Sequence, residues 1–355
     1  MAIKLTPGNL YFIRDIDYLT KEIGRYVKIG IVTNNRTTEQ RMKDHQTGNP
    51  RGIFDVHEVV NVPFVERLET QLHYEYNERW ITGEWFLLNE KEAKAVYKRA
   101  IALKDEQISR EKIIRKVLEK LSEIISTGLK KKATKIGLDL ETHYLNVKKE
   151  LNELDARIEL SKFAFYKLLG ANGSIDGVLK IRYSGPSYTF DEKAFKAAHP
   201  KIHAKFLVSK PDKLDKRFTM DNISTVSLSK VNPTLETQKK AITAMTYTAS
   251  QLNSKKARTK AIEKLHLEHL KLLREHKIRE FELEMVQYEL QALVGNTEGI
   301  DGICTWSRKM KSVPDALDTA AVKNAYPNLY AKFCTTLKKE VFSMDVEKYR
   351  AYKPK

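Results

Sequence analysis

Near the amino terminus the apolar positions fall in short runs rich in β-branched and aromatic residues. They are Leu10-Tyr11-Phe12-Ile13, Tyr26-Val27-Lys28-Ile29-Gly30-Ile31-Val32, and the alternating Phe54-Asp55-Val56-His57-Glu58-Val59-Val60. Such runs predict strands, and the polar stretch from Asp15 to Gly24 predicts a hairpin loop between the first two. Before the third strand the period changes. Thr37, with Gln40 three residues on, predicts an N-cap and capping box, and Gly48 with Asn49-Pro50 closes that helix. Pro63 opens a second helix running to about Asn77. On it Leu68, Leu72 and Tyr76 form a core stripe beside a polar stripe of Glu66, Glu69 and His73. Gly83 to Leu88 packs back as a strand or extended segment, with Trp80, Trp85 and Phe86 expected in the core.

From Glu90 the pattern lengthens into charged helix, with an apolar stripe of Ile114, Val117, Leu118, Leu121 and Ile125 that breaks at Thr127-Gly128. Beyond it the chain resembles itself at an offset of about 125 residues. Leu169-Gly170 and Ile175-Asp176-Gly177 recur as Val294-Gly295 and Ile300-Asp301-Gly302; His199-Pro200 recurs as Tyr326-Pro327; Phe218-Thr219-Met220-Asp221 recurs as Phe342-Ser343-Met344-Asp345. Leu140, Tyr144, Val147, Leu151, Leu154 and Ile158 keep a coiled-coil spacing. His269, His276 and Arg279 interrupt the corresponding frame in the second copy. The expected fold is α+β: a small mixed β-sheet flanked by helices, then a long-helix, duplicated, helix-hairpin-helix-rich C-terminal region. The expected divisions are 1–98, a helical linker 99–130, a first unit 131–221, a Ser/Thr-rich connector 222–255 and a second unit 256–355.

Charge changes this picture. Residues 1–98 hold 14 Lys and Arg against 14 Asp and Glu, so the whole net charge of +17 falls on residues 99–355. A segment of that kind attracts a polyanion, and double-stranded DNA is the expected partner. The basic residues at the start of each unit, Lys130, Lys131, Lys132, Lys255, Lys256, Arg258 and Lys260, are the candidate phosphate contacts. The long helices offer a surface for self-association. No apolar run reaches the ~18 residues that read as a membrane span. MAIKLTPGNLYF has no apolar signal segment, and Cys304 and Cys334 have neither metal-ligand nor disulfide-framework spacing. A cytoplasmic protein is expected.

The candidate chemistry lies in the first part. Arg41 and His45, at i and i+4, project from one helix face and suit a phosphate that gains charge during reaction. Glu69 is a hard oxygen ligand for Mg²⁺ or Mn²⁺. Tyr11, with its proton affinity lowered by a nearby Lys28, can take a proton from water, and His45 can pass protons or orient it. Simpler readings stand beside these: a surface arginine, a strand tyrosine burying its ring, and a satisfied helix histidine at His73. Asp176 and Asp301, each between Ile and Gly, read as turn formers rather than metal ligands.

Asn9-Leu10-Tyr11, Lys28-Ile29-Gly30, Arg41 with His45 in RMKDHQTGNP, Glu69 to His73, and GEWF together resemble the GIY-YIG nuclease superfamily over residues 9–88. The resemblance implies a catalytic set of Tyr11, Lys28, Arg41, His45 and Glu69, with Glu69 holding the metal. Lys28 stands where relatives have a second tyrosine. The late asparagine of that superfamily has candidates in Asn77 and Asn89, with Glu84 as a stand-in. The repeated unit, through Gly299-Ile300-Asp301-Gly302 to Trp306, Asp318, Pro327-Asn328-Leu329-Tyr330 and Phe342, resembles the segment after the core of YqaJ-like phage exonucleases. These resemblances imply a metal-dependent DNA endonuclease in a prokaryotic cell or phage-infected host. The rival expectation is a catalytically inactive DNA-binding or scaffolding protein.

Overall fold

The computed structural model describes residues 4–33, 36–47, 51–243, 247–248, 250–338, 341–350 and 352. The architecture is mixed α and β, with small sheets and long helices. The head comprises β1 (Gly8–Ile16), β2 (Tyr26–Thr33), α1 (Thr38–Gln46), β3 (Gly52–Val62), α2 (Val65–Glu75), β4 (Trp80–Thr82), β5 (Trp85–Leu87) and α3 (Glu90–Arg115). Its sheet runs in the order β3-β1-β2-β5-β4, and all its ladders are antiparallel. Thr37 caps α1 with Gln40 completing the capping box; the expected stop at Gly48, Asn49 and Pro50 lies outside the described residues. α2 starts two residues after Pro63 and carries no side-chain cap.

One sheet face packs Leu10, Phe12, Val27, Ile29 and Phe86 against α2 and α3. Val96, Ala100 and Leu103 of α3 belong to this same core, so the boundary expected at 98–99 falls inside a helix that serves the head. Further along, Ile114, Val117 and Leu121 join a different core, with Met285, Val294 and Trp306. Ile125, expected on that stripe, is 53% exposed, because the helix tightens into a short 3-10 turn at Leu121–Glu123 before reaching it.

Two stretches then run through the same order of elements. The first is β6 (Lys130–Lys131), α4 (Lys135–Leu169), β7 (Asn172–Ile175), β8 (Leu179–Ser184), β9 (Ser187–Phe190), α5 (Glu192–Ala198), α6 (Pro200–Lys205), β10 (Leu207–Val208) and β11 (Lys213–Met220). Two connector helices, α7 (Leu228–Val231) and α8 (Pro233–Thr243), follow. The second stretch is β12 (Gln251–Lys256), α9 (Lys260–Val294), β13 (Gly299–Ile300), β14 (Cys304–Lys311), β15 (Ala316–Leu317), α10 (Thr319–Ala325), α11 (Pro327–Lys332), β16 (Cys334–Lys338) and β17 (Val341–Val346). α4 and α9 are each 35 residues long, begin at a threonine N-cap and end at a glycine with φ of 64° and 66°.

The two stretches complete one another. β11 pairs with β14 and β17 with β8; β10 pairs with β15 and β16 with β9. β6 lies parallel to β13, and β12 parallel to β7. Every one of these ladders joins one stretch to the other. Lys131 Nζ donates to Leu293 O at 2.7 Å, at the end of α9, and Lys256 Nζ donates to Leu168 O at the end of α4. Each ammonium satisfies a terminal carbonyl and favours the negative end of the helix dipole.

α4 and α9 pack antiparallel. Ser161 Oγ meets His269 Nδ1 at 3.0 Å, His276 pairs with Asp155 at 2.9 Å, and His143 with Glu282 at 2.8 Å. The apolar seam of α4 is therefore covered by α9 of the same chain, and the polar residues that interrupt the α9 frame meet polar partners. The head sits on the outer face of α9. There Arg67 pairs with Glu284 at 2.8 Å and donates to Phe281 O at 2.6 Å, and Asn77 Nδ2 donates to Leu270 O at 2.8 Å. The outer face of α4 carries the connector instead, with Asn152 Nδ2 donating to Val226 O at 2.8 Å and Leu228 and Leu235 packed on Ala156.

Candidate active site

The second face of the head sheet carries the charged cluster. Tyr11 is fully buried on β1 and opposes Gly30 on β2. Its ring lies over that glycine so closely that a Cβ at position 30 would collide with the phenol. This contact accounts physically for a glycine in the Lys28-Ile29-Gly30 run. The hydroxyl reaches His45 Nε2 at 3.0 Å and accepts a hydrogen bond from Arg41. Both partners come from α1, whose one-turn spacing puts them side by side. α1 is pinned from below: Glu58 of β3 accepts from Asn9 Nδ2 at 2.7 Å and from the Thr38 hydroxyl.

Lys28 and Glu84 form the next layer. Lys28 is two ladder pairs further along, opposite Ile13, and its ammonium is bonded to Glu84, not to the tyrosyl oxygen. The expected lowering of the Tyr11 proton affinity by Lys28 is therefore corrected. Burial pushes the phenol up to about 12, opposed by Arg41 and reinforced by Glu84 and Glu69. Register explains the difference, because the pair shares a face but not a position.

Glu69 of α2 completes the group. Burial, and then the charge of Glu84, push its carboxyl up to about 8. His45 moves the other way, held below the usual imidazole range by burial and by the Lys28 and Arg41 cations. Glu84 acts electrostatically on Tyr11, Arg41, His45, Glu69 and His73. Its charge thus reaches every titrating member of the cluster, although the sequence offers it only as a substitute for a missing asparagine. The turn into β5 delivers it, beside Gly83 at φ 53°.

Other residues fall outside. His73 is a buried helix histidine bonded to Ile29 O at 3.1 Å and packed on Trp80 and Phe86. Glu66 pairs with Lys4 at 2.8 Å. Asn77 ties the head to α9, and Asn89 caps α3 through a capping box with Glu92; neither stands in for the late asparagine. Trp85, expected in the core, is only partly covered and lies 5.8 Å from the Lys28 ammonium.

No group of three or more His, Cys, Asp and Glu able to hold a metal occurs among the described residues. Asp176 and Asp301 sit in tight turns completed by Gly177 and Gly302 at φ 65° and 71°. Of the basic candidates, Lys131 and Lys256 are committed to helix ends. Lys130 pairs with Asp221 at 3.4 Å, and Arg258 with Glu263 at 3.6 Å while stacking on Tyr352. Lys132, Lys255 and Lys260 are exposed. Among the described residues no helix is long and apolar enough to cross a membrane.

No curated protein and no solved structure matches the chain. Residues 8–101, about a quarter of the sequence, match the T5orf172 domain, a phage-associated domain related to nucleases, which makes the head a nuclease-like segment.

Proposed function

We propose that the head is a divalent-metal-dependent DNA endonuclease and that the C-terminal region grips the duplex. One observation carries the reading: the Tyr11 hydroxyl, Arg41 and His45 meet on one sheet face with the Lys28–Glu84 pair beside them, and Glu69 of α2 lies near enough to feel both charges of that pair. Phosphodiester hydrolysis needs a proton acceptor for water and positive charge at the phosphoryl oxygens. Arg41 supplies the fixed cation that binds the phosphate.

A phenol at about 12 is not ionised at rest, so Tyr11 works as a relay. As water attacks phosphorus and the P–O bond to the departing strand end breaks, the water proton passes to the tyrosyl oxygen while the tyrosyl proton passes to His45 Nε2 at 3.0 Å, and the leaving alkoxide takes its proton from solvent. His45, kept neutral by burial and by the Lys28 and Arg41 cations, is ready to receive it.

The donor set fits a hard cation. Glu69 is a desolvated carboxylate facing a second carboxylate, Glu84, and Mg²⁺ is commonly held by one or two carboxylates with water completing its shell. Glu69 is the residue that would hold Mg²⁺ or Mn²⁺, which when bound supplies charge neutralisation at the phosphate. The net +17 of residues 99–355 and the YqaJ-like resemblance of the second unit support the grip.

The test is supercoiled plasmid incubated with the full chain in Mg²⁺ or Mn²⁺ and, in parallel, in EDTA. Nicked or linear product only with metal is expected. Tight DNA binding with no product under either metal would leave the non-cutting DNA-binding reading in its place.

A further inference from the structure

The sheet face that carries Tyr11 continues past the charged cluster. Along the β2–β5 ladder Lys28 opposes Trp85 and Tyr26 opposes Leu87. Side chains two apart on a strand share a face, so Tyr26 and Trp85 lie on the same side as Tyr11 and Lys28. Here the surface opens into a concave shelf lined by Asp15, Tyr26, Ile81, Thr82 and Trp85. Tyr26 is 36% exposed, and the Trp85 ring is 5.8 Å from the Lys28 ammonium. Shelf and cluster are therefore contiguous.

Two aromatic faces left partly open to water, in a concavity beside a phosphate-handling cluster, suit the flat π-face of a base. The charge on the shelf argues for a ring and against a second phosphate. Its charged lining group is Asp15, anchored by Arg51. A carboxylate repels phosphate and accepts a hydrogen bond from an exocyclic amine. The loop joining Asp15 to Tyr26 is built to hold its shape: Asp17 Oδ1 accepts from the Leu19 and Thr20 amides at 2.9 Å each, and Arg51 reaches Glu22 O at 3.1 Å. That ordered loop nevertheless leaves Leu19 93% exposed. An apolar side chain presented this way can wedge into a base step.

The geometry points to a nucleobase site: the Tyr26–Trp85 shelf takes one unpaired or flipped-out base next to the phosphate bound at Arg41. A paired base inside a duplex cannot reach such a surface, so the site makes DNA with a locally unpaired nucleotide the favoured substrate. The inference rests on the reading of Arg41 as the phosphate ligand.

The test uses the full chain carrying Glu69→Gln, so that bound DNA is not consumed, and two labelled duplexes that differ by a single bulged nucleotide. The bulged duplex is expected to bind roughly tenfold more tightly, the scale of one base–aromatic stack. Tyr26→Leu combined with Trp85→Leu should bring that ratio to about one, whereas Trp85→Phe, which keeps the stack, should retain most of it. Independently of any substitution on the shelf, 5-iodouracil at the bulge should photocrosslink to the peptide holding Tyr26 or Trp85. Equal affinity for the two duplexes, a ratio that survives in the double variant, or a crosslink mapped elsewhere would each overturn the site. A chain that prefers the bulge but never nicks plasmid keeps the shelf and loses the nuclease. One that nicks without the preference does the reverse.

Discussion

Residues 1–98 hold as many acids as bases, yet Tyr11, Lys28, Arg41, His45, Glu69 and Glu84 crowd together there, and the proton affinities of Tyr11, Arg41, His45 and Glu69 shift as a result. Residues 99–355 hold the whole +17 and disperse it, into ion pairs such as Arg279–Glu150 at 2.6 Å, into the Lys131 and Lys256 helix caps, and onto exposed sites such as Lys132. The difference teaches where a single charge matters. In the head a charge is desolvated and its neighbours depend on it; in the paired stretches most charges, the buried Arg308 and Glu141 apart, lie in water, where an isolated pair contributes ~0–1 kcal/mol. Substitutions in the head should therefore act on chemistry in large steps, and those behind it on affinity in small ones.

The largest effect is expected at Arg41. Arg41→Ala should lower single-turnover cleavage by roughly 10²–10³, the scale of one lost oxyanion donor, with DNA affinity nearly unchanged. An equal loss in affinity and rate would move Arg41 from chemistry to grip. Next is the seam between the regions. The Arg67 and Glu284 side chains are 9% and 18% exposed, so Arg67→Ala removes the cation from a buried ion pair and should cost about 3–5 kcal/mol. Calorimetry should then resolve a head that unfolds before α4 and α9. A single unchanged transition would contradict the docking on α9.

A smaller effect belongs to pH. Lys28 helps to hold His45 low, so Lys28→Ala raises the imidazole. Because His45 works as the neutral acceptor, the acid limb of the cleavage profile should move to higher pH, by about one unit or less. A fall in rate at unchanged pH dependence would return Lys28 to a purely structural role with Glu84. The smallest effects are expected on the dispersed charge. Alanine at Lys132, Lys255 or Lys260 should each reduce the salt dependence of DNA binding by about one counterion at most, read from affinity against salt concentration.

Much of the head was legible in the sequence, because its signals are local. The Thr37–Gln40 capping box, the strand runs and the polar loop after Asp15 each depend on a few neighbouring residues. The Lys28–Tyr11 relationship is not legible in the same way because it turns on register, which the hydrophobic pattern fixes only to the nearest face. Trp85 reads as core for a related reason: it stands beside a buried phenylalanine, and only the pairing with Lys28 places the half-buried ring beside the charged cluster. The matching element order of the two long stretches follows from recurring residues. Their exchange of strands does not, since a strand bearing the same motif can pair within its own stretch or across to the other. Where the helices carry different partners the residues diverge: Phe281 beneath Arg67 on α9, Ala156 beneath Leu228 and Leu235 on α4.

Glu69→Gln tests the central division most directly, with cleavage and binding measured on the same purified full chain. The substitution keeps the shape and removes the ionisable, metal-ligating carboxyl, which burial and Glu84 push up to about 8. Metal-dependent cleavage should fall by at least ~10³, beyond what one lost hydrogen-bond donor costs. DNA affinity and its salt dependence should stay within about twofold of the parent, because the grip is set elsewhere. Cleavage that persists in the variant, or affinity that falls along with it, would contradict a head that cuts and a separate region that holds.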